Sequence, residues 1–324
     1  MISIIIPVYK AEKTLEDTVR SALAQQTETE IILIDDGSPD GCPALCDELA
    51  AAYGNIRVIH QKNGGICRAR NAGIEAAEGE WLLFLDADDQ LTDGAAAYML
   101  ATAAAAGAQL VAGSFDDLRH PSGSQPEEKL TVCRGSETID AFYRNIGNCY
   151  GSPVWSKLFH RSIVGRFLNE LRYGEDVLFN QEAFARAGCA VITNRRLLLY
   201  RRGDRGSATN IYFRGKHRSY VDSYLKMNEN AEKQGASSAQ RAELRRHFIR
   251  MILNCMLALY ISGLTAAEKR AEYRRIAGDP DVTRAVRAWQ PAGAKERLMK
   301  WALAGPRVGT LMLLSRLESG RQGM

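Results

Sequence analysis

The first 113 residues alternate between short apolar runs and segments whose apolar residues recur at helical spacing. The apolar runs, which predict strands, span 3–7, 30–34, 57–60, 81–85 and 109–113. Helical segments follow the first four runs and end near residues 23, 53, 77 and 106, with Thr14 and Asp93 placed as N-caps of the first and last. Strands made almost entirely of Ile, Val and Leu are typical of parallel sheets covered on both faces. The pattern predicts an α/β fold around a mostly parallel sheet.

Carboxylates gather where two of these strands end. Asp35 and Asp36 follow the second strand, and Asp86, Asp88 and Asp89 follow the fourth. Ligands of open parallel sheets bind outside the carboxyl ends of the strands. Five carboxylates on one edge would repel each other without a cation or a hydrogen-bonding ligand. Oxygen ligands without His or Cys favour Mg²⁺ or Mn²⁺, which usually binds one or two carboxylates and substrate phosphates.

Aspartate is also common in turns and at helix starts. We assign that structural role to Asp35, Asp40 and Asp93, and a ligand-binding role to Asp36, Asp86 and Asp88. Several other sites are disfavoured, because the chain has no G-x-G-x-x-G after its first strand, no G-x-x-x-x-G-K-[ST] and no G-x-S-x-G. The remaining candidate is a metal-assisted nucleotide site without a glycine-rich phosphate loop.

Five segments together resemble the motif set of the family 2 inverting glycosyltransferases. They are 3–9 (SIIIPVY), 34–38 (IDDGS), 63–65 (NGG), 69–73 (ARNAG) and 84–89 (FLDADD). The resemblance implies a GT-A (Rossmann-like) fold, a nucleotide-sugar donor of UDP type, and a divalent cation, Mn²⁺ or Mg²⁺.

The resemblance also implies site roles. Asp36 resembles the residue that hydrogen-bonds the nucleotide base, and Arg70 and Asn71 resemble residues near the nucleotide. The D-x-D element matches Asp86, facing the ribose, and Asp88, holding the metal. The other implied donor or metal contacts are Pro7, Val8 and Tyr9 beside the base, Ala87 within the D-x-D element, and Asp89 as a second candidate metal ligand.

A weaker resemblance to capsule- and cell-wall-type members covers 153–159 and 173–176 and implies that Asp176 is the catalytic base. An inverting transfer is one displacement at the anomeric carbon, so a base must take the proton of the acceptor hydroxyl. Asp176 precedes an amphipathic helix, whose dipole favours the ionised form. The alternative is that Glu175 or Asp176 is only a helix cap.

Four further residues are candidate acceptor or phosphate contacts, along with Glu175. Trp155 could stack on a sugar or pack in the core. Lys157 is expected to be solvated or paired rather than catalytic. Arg202 and Ser207 could meet the donor diphosphate, since Arg matches phosphate bidentately, although a solvated charged face explains most of the surrounding arginines.

Charge divides the chain into two parts. Residues 215–324 hold 20 Lys and Arg against 10 acidic residues, a net charge of +10, whereas 1–214 have a net charge of −6. We therefore expect a catalytic domain over 1–214, with a nucleotide-sugar half (about 1–113) and an acceptor half (about 114–214), and a basic helical region over 215–324. Helices are predicted over 237–262, 268–277, 281–289 and 294–317, the last broken at 305–306.

The basic helices could lie on an anionic membrane surface or pack on the catalytic domain with their charges in water. The uncharged run 251–267 is short for a membrane span, so a buried helix is favoured. The N-terminus lacks signal-peptide features, and the seven cysteines lack zinc-ligand spacing. We expect free thiols in a reducing compartment, and a cytoplasmic location with peripheral membrane contact as an option.

Two classes of function remain. The first is an inverting glycosyltransferase that acts on a glycan or lipid-linked acceptor in cell-surface polysaccharide synthesis. The second is a catalytically inactive nucleotide-sugar or glycan-binding protein. A sugar nucleotidyltransferase is disfavoured, because a Gly-rich loop is missing after the first strand. The net charge of +4 is too small to indicate nucleic acid binding, and the oligomeric state stays open.

Overall fold

A computed structural model describes residues 1–201, 211–305 and 307–321. The chain divides into two compact units, Met1–Arg202 and Gly203–Met324. The domain boundary expected from the sequence at residue 214 stays a prediction.

The described part of the first unit contains one sheet of nine strands. The strands are β1 (Ile2–Val8), β2 (Thr29–Asp35), β3 (Ile56–His60), β4 (Trp81–Phe84), β5 (Gln90–Leu91), β6 (Leu110–Asp117), β7 (Leu130–Arg134), β8 (Lys157–His160) and β9 (Cys189–Tyr200). Their order is β3-β2-β1-β4-β8-β6-β9-β5, and β7 also pairs with β9.

The sheet is mixed but mostly parallel, which confirms the predicted fold class. Strands β1 to β4 pair in parallel, as do β6 and β9. The short strand β8 lies antiparallel between β4 and β6, so it separates the fifth predicted strand from the first four. Strands β5, β7 and β8 therefore run against the other six.

Six α-helices and one short 3-10 helix (Arg161–Ile163) accompany this sheet in the described residues. The α-helices are α1 (Leu15–Leu23), α2 (Cys42–Ala52), α3 (Ile66–Ala76), α4 (Ala95–Ala106), α5 (Ser136–Asn145) and α6 (Glu175–Arg186). The caps predicted for α1 and α4 need correction. Thr14 occupies the N-cap position of α1, but its side chain makes no capping hydrogen bond. Helix α4 is preceded by Gly94, whose φ of 67° suits glycine, and not by Asp93.

Close packing of α3 on the sheet depends on Gly73. A Cβ atom at this position would lie 2.3 Å from Cγ2 of Ile5 in the buried strand β1. Since such a distance is impossible without displacement, only glycine lets α3 sit this close to the sheet. The glycine of the ARNAG segment thus sets the height of Arg70, one turn earlier, above the sheet edge.

The second unit is helical where it is described. Its helices are α7 (Lys216–Lys233), α8 (Ser238–Ile261), α9 (Ala266–Ala277), α10 (Pro280–Ala288), α11 (Ala294–Ala304) and α12 (Val308–Arg321). The predicted break after Ala304 is confirmed. The apolar end of α8 is buried at Ile252, Cys255 and Leu259, as expected for a core helix. No helix among the described residues combines the length and the apolar character needed to cross a bilayer.

All seven cysteines are free thiols, and six of them are buried. Burial raises the pKa of Cys46 and Cys67 to about 12, so both stay protonated and unreactive at neutral pH. Across the described ranges, no group of three or more His, Cys, Asp or Glu is placed to hold a metal ion. The absence of a zinc site stays a prediction.

Candidate active site

The turn after β4 carries the D-x-D carboxylates and is fixed by its neighbours. Its backbone closes with a hydrogen bond from the N–H of Asp89 to the carbonyl of Asp86 (3.0 Å). The carbonyl of Ala87 accepts the hydroxyls of Thr14 (2.8 Å) and Thr18 (3.0 Å) from α1. Two threonines that the sequence analysis did not connect with the site therefore hold the turn, and Ala87 acts through its backbone.

The three carboxylates of this turn lie in different environments. Asp86 is partly exposed and accepts a hydrogen bond from Arg70, and the side chain of Asp88 is exposed. Asp89 is completely buried; its Oδ1 accepts the backbone N–H of Arg201 (2.8 Å), while its Oδ2 has no hydrogen-bond partner in the described residues. Burial, reinforced by the charge of Asp86, raises the pKa of Asp89 to about 8.

The carboxylates of this turn fit Mg²⁺ or Mn²⁺ only if substrate phosphates complete the coordination shell. The available ligands are carboxylate oxygens, and Mg²⁺ usually takes one or two of these together with substrate phosphates. Asp88 is the accessible candidate. Asp89 is the weaker one, because its carboxylate lies inside the protein and anchors the end of β9. Arg201, which also donates from Nε to the carbonyl of Asp88 (3.1 Å), was noticed in the sequence only as one of several arginines.

Arg70 lies at the centre of the candidate site. Its buried guanidinium donates from Nη2 to Asp86 (3.1 Å) and from Nη1 to Asp176 (2.5 Å), with Glu175 at 3.4 Å from Nη1. It also lies over the ring of Phe167, 5.2 Å from the centroid. Burial alone would lower its pKa, but the adjacent carboxylates, Asp176 foremost, raise the pKa of Arg70 above its usual value. One cation thus joins the turn after β4 to the start of α6.

Glu175 and Asp176 occupy the first turn of α6, as predicted. Gly174, with a φ of 79°, precedes the helix, and neither carboxylate is its N-cap. Burial raises the pKa of both groups, and their mutual proximity adds to it for Glu175, whereas Arg70 acts in the opposite direction. Asp176 is therefore a stronger base than an ordinary aspartate, with a cation beside it that keeps the ionised form accessible.

Asp36 organises the other end of the sheet edge. Its Oδ1 accepts hydrogen bonds from Nε2 of Gln61 (2.6 Å) and the N–H of Gly64 (2.9 Å), and its Oδ2 accepts the N–H of Gly65 (2.8 Å). The backbone of Asp36 also donates to the carbonyl of Val8 (2.9 Å). Asp36 thereby ties the NGG segment, through its carboxylate, to the end of β1, through its backbone.

The aromatic ring predicted to flank the base is available at this end. Tyr9 follows β1 and is 47% exposed, whereas Pro7 and Val8 are buried in the strand. Tyr9 is thus the side chain of the three that can meet a planar ligand, and Pro7 and Val8 contribute through the strand that carries it.

Asn71 differs from its expected place near the nucleotide. Its Nδ2 donates to the carbonyl of Phe167 (2.8 Å), and its Oδ1 accepts the N–H of the same residue (2.9 Å). Nδ2 also approaches Oδ1 of Asn169 (3.2 Å). The side chain therefore binds the backbone of the 167–169 segment, which in turn places Phe167 against Arg70.

Two candidate acceptor contacts are buried instead of facing a ligand. Trp155 stacks on Tyr200 (5.4 Å between centroids) and meets Phe115 edge-on (5.2 Å), so its core-packing alternative is right. Lys157 is completely buried, contrary to the expected solvated or paired side chain, and donates from Nζ to two backbone carbonyls. Its place in β8 points the side chain inward. Arg202 and Ser207 lie outside the described residues.

Comparison with known proteins identifies the family. The sequence model of glycosyl transferase family 2 matches residues 3–166, half of the chain, and the protein therefore belongs to that family. The matched range contains Asp36, Arg70 and the D-x-D turn. Asp176 lies beyond it.

Two bacterial relatives match about three fifths of the chain. The glycosyltransferase EpsJ of Bacillus subtilis, described as uncharacterised, is 32% identical over 62% of this chain and 61% of its own. The succinoglycan biosynthesis protein ExoO of Rhizobium meliloti is 33% identical over 59% and 58%, respectively. The chain thus spans about three fifths of the length of the curated relatives it matches.

Solved structures share the fold over the whole chain. TarS of S. aureus, residues 1–349, superposes with a TM-score of 0.66 at 17% identity and covers 100% of this chain and 92% of its own. The mannosyltransferase PcManGT of Pyrobaculum calidifontis gives a TM-score of 0.52 at 14% identity. At these identities the similarity concerns architecture, and it confirms the α/β GT-A fold with additional C-terminal helices.

Proposed function

We propose that this protein is an inverting glycosyltransferase that moves a sugar from a nucleotide-sugar donor to a hydroxyl of a glycan or lipid-linked saccharide. Membership of family 2 supports the class of reaction. TarS, which has the same fold, has been crystallised with UDP-GlcNAc, which favours a UDP-sugar donor. ExoO, named for succinoglycan biosynthesis, favours a role in bacterial polysaccharide synthesis.

The position of Arg70 between Asp86 and Asp176 is the observation that carries the proposal. Both carboxylates bind the same guanidinium, so the donor-side turn and the candidate base lie within a few ångströms of each other. A displacement at the anomeric carbon needs this proximity, because the base must reach a hydroxyl that attacks a sugar held by its diphosphate.

Each residue has a proposed role in this arrangement. Tyr9 and Asp36 line the end of the site that receives the nucleotide base, with Pro7 and Val8 as supports, and Asp86 faces the ribose. Asp88 holds the divalent cation, which when bound offsets the charge of the departing diphosphate. Asp176 takes the proton of the acceptor hydroxyl, and Arg70 keeps it ionised and aimed.

Donor identity and metal dependence can be tested together. UDP-, GDP- and dTDP-sugars are compared by thermal shift with and without Mn²⁺, because only a ligand of the folded state raises the melting temperature. We expect a UDP-sugar to stabilise the protein only with the cation, and Asp88→Asn to lose this effect while keeping its unliganded melting temperature. Stabilisation without any turnover on glycan or lipid-linked acceptors would favour the alternative, a nucleotide-sugar-binding protein.

A second proposal concerns the membrane. Leu298 and Trp301 lie one turn apart on α11 and are 44% and 50% exposed, while Met299, Ala302 and Leu303 face inward. The guanidinium of Arg307 lies 3.9 Å from the centroid of the Trp301 ring. Exposed Trp and Leu among basic residues favour binding to an anionic lipid surface. The free cysteines suit a reducing compartment, so the cytoplasmic face of a membrane is the proposed location.

Liposome co-sedimentation tests this proposal. Leu298→Ser with Trp301→Ser should lower partition onto vesicles containing anionic lipid, without changing the far-UV spectrum. Ile261→Ser, at another exposed apolar residue, is the matched control and should bind as the unmodified protein does. Equal partition of all three proteins, or none to any vesicle, would reject membrane contact through α11.

A further inference from the structure

Lys157 is a buried cation that the proposed chemistry does not use. Its side chain is completely buried, and Nζ donates to the carbonyls of Cys149 (2.8 Å) and Pro153 (2.6 Å). Among the described residues it has no carboxylate within ion-pair distance. Burial lowers its pKa to about 7, which is the usual consequence of desolvating an amine. A hydrophobic side chain would avoid this cost, so the contacts of Lys157 require an explanation.

Asn180 holds the same segment from the opposite side. Its Nδ2 lies within hydrogen-bond distance of the carbonyls of Gly151 (3.1 Å), Ser152 (2.9 Å) and Pro153 (2.9 Å), and its side chain is also fully buried. The carbonyl of Pro153 is shared by both buried donors. Asn180 follows Asp176 by four residues on α6, so the two side chains project from the same face of the helix.

The clamped segment ends at the candidate base. The backbone N–H of Val154, next to Pro153, is near enough to the carboxylate of Asp176 to act toward a lower pKa of that group. Two residues later Ser156 is buried with a φ of 57°, a conformation that is strained for a serine, and its hydroxyl donates to the carbonyl of Ser114 (2.8 Å). The chain at 149–156 is thus held in an unusual conformation that presents one N–H to Asp176.

We propose that Lys157 and Asn180 act as positioning residues, which fix the 149–154 segment so that the Val154 N–H orients Asp176 for proton transfer. This inference rests on the proposed function. It assigns a role to the V-W-S-K sequence that neither acceptor stacking nor phosphate binding explains, since Trp155 and Lys157 both point into the core.

The charges around Asp176 define what loss of Lys157 should do. Arg70 from α3 binds it directly, Lys157 from β8 interacts with it beyond ion-pair distance, and Asp86 from the turn after β4 and Glu175 from α6 are the neighbouring acids. Removing Lys157 deletes a positive charge and loosens the Val154 N–H. Both changes disfavour the ionised carboxylate, so the pKa of Asp176 should rise and the rate should need a higher pH.

The test compares Lys157→Met with Lys216→Met. Lys216 is a second fully buried lysine that donates to a backbone carbonyl (Ile211, 2.7 Å), but it belongs to the second unit. For Lys157→Met we expect kcat to fall by about 10- to 100-fold, since small misplacements of catalytic groups cost this much. The KM for the donor should stay within about twofold, and the rising limb of the pH–rate profile should move to higher pH. Lys216→Met should lower the melting temperature but leave the limb in place.

Asn180→Ser keeps the charge of Lys157 and decides the case if Lys157→Met does not fold. It should lower kcat and shift the limb in the same direction by a smaller amount. An unshifted rising limb of the pH–rate profile in the folded variants overturns the proposed positioning role. Asp176→Asn distinguishes failure of this inference from failure of the proposed function. Full activity of Asp176→Asn would show that Asp176 is not the base. An inactive Asp176→Asn, together with unshifted pH–rate limbs in the Lys157 and Asn180 variants, would reject only the positioning role.

Discussion

The two units of the molecule surround some of their buried ionisable side chains with different charges. In the first unit the carboxylates Asp89, Glu175 and Asp176 gather at one edge of the sheet, and burial raises their pKa values. The second unit buries two acids, Glu272 and Asp279, but it also buries two histidines, His217 and His247. Burial lowers the pKa of each histidine.

These buried groups differ in the charges of their neighbours. Glu175 and Asp176 lie beside a buried cation, Arg70, which favours the ionised form of each. His247 has a like-charged neighbour, Arg250, and burial lowers its pKa to about 4, so it is a neutral core residue. A gathered set of perturbed groups with a counter-charge is typical of a functional site, whereas isolated ones are usually structural. The predictions below test this distinction.

The largest effect is expected from Asp176→Asn. The amide cannot accept the acceptor proton, so the transfer rate should fall by about 10²- to 10⁴-fold. Donor affinity measured by calorimetry should change little, because the residue faces the acceptor side. Glu175→Gln is the matched control, since it also removes one carboxylate near Arg70, and it should lose clearly less activity. A larger loss of activity for Glu175→Gln than for Asp176→Asn would indicate that Glu175, and not Asp176, is the base.

Arg70→Met should separate stability from chemistry. Removing one member of a buried ionic cluster leaves charges without compensation, so we expect the free energy of unfolding to fall by about 3 kcal/mol. Urea denaturation measures this loss. Asp86→Asn with Asp176→Asn, introduced into the Arg70→Met background, should recover part of the stability but no activity. No recovery would mean that the cluster is held by packing rather than by charge.

The pH dependence of the rate should identify the acid cluster directly. Asp176 works in its ionised form, and burial raises its pKa, so activity should appear as the pH rises through a value above that of a free aspartate, about 4. Glu175 titrates with it, so the profile reports the pair. In Glu175→Gln the limb should follow a single ionisation, that of Asp176, because its coupled partner no longer titrates. If the rate of the unmodified protein rises at the pKa of a free aspartate, this would contradict the burial of this pair.

The smallest effect is expected in the second unit. A folded-state pKa of about 4 for His247 lies below the unfolded value, so the unfolded chain binds the extra proton and stability falls as the pH drops below about 6.5. At pH 5.5 the loss should reach about 1 kcal/mol. His247→Gln should flatten this dependence, whereas Gln substitution at the half-exposed His60 should not remove it. Chemical denaturation between pH 5 and 7.5 provides the measurement.

Local features of the site were predictable to a large extent. The strands β1 to β4 lie within one or two residues of their predicted limits. Each is a run rich in Ile, Leu and Val bounded by turn residues, and such a run is visible from neighbours in sequence alone. The aspartates at the ends of β2 and β4 lie at the same edge of the sheet, since parallel strands place their carboxyl ends together. Asp36 binds Gly64 and Gly65 across a single β-α-β unit, which sequence order already implies.

Contacts between distant segments were not predictable. Strand β8 has four residues, one of them a lysine that faces the core, and nothing in its pattern indicates insertion between β4 and β6. Asn71 was expected beside a nucleotide, but its amide is used by the backbone of Phe167, 96 residues away. Trp155 is buried because Tyr200 and Phe115 come from other strands.

The sequence by itself determined the α/β alternation, the placement of carboxylates at strand ends, the helical second unit and membership of the glycosyltransferase family. These depend on short-range periodicity and on motifs read in order. Only the tertiary structure decided which carboxylate is exposed, which is buried, and which of them share Arg70. The environment of a charge is set by side chains about a hundred residues away, as from Arg70 to Asp176. Burial and partner charges, not residue type, then determine what each carboxylate can do.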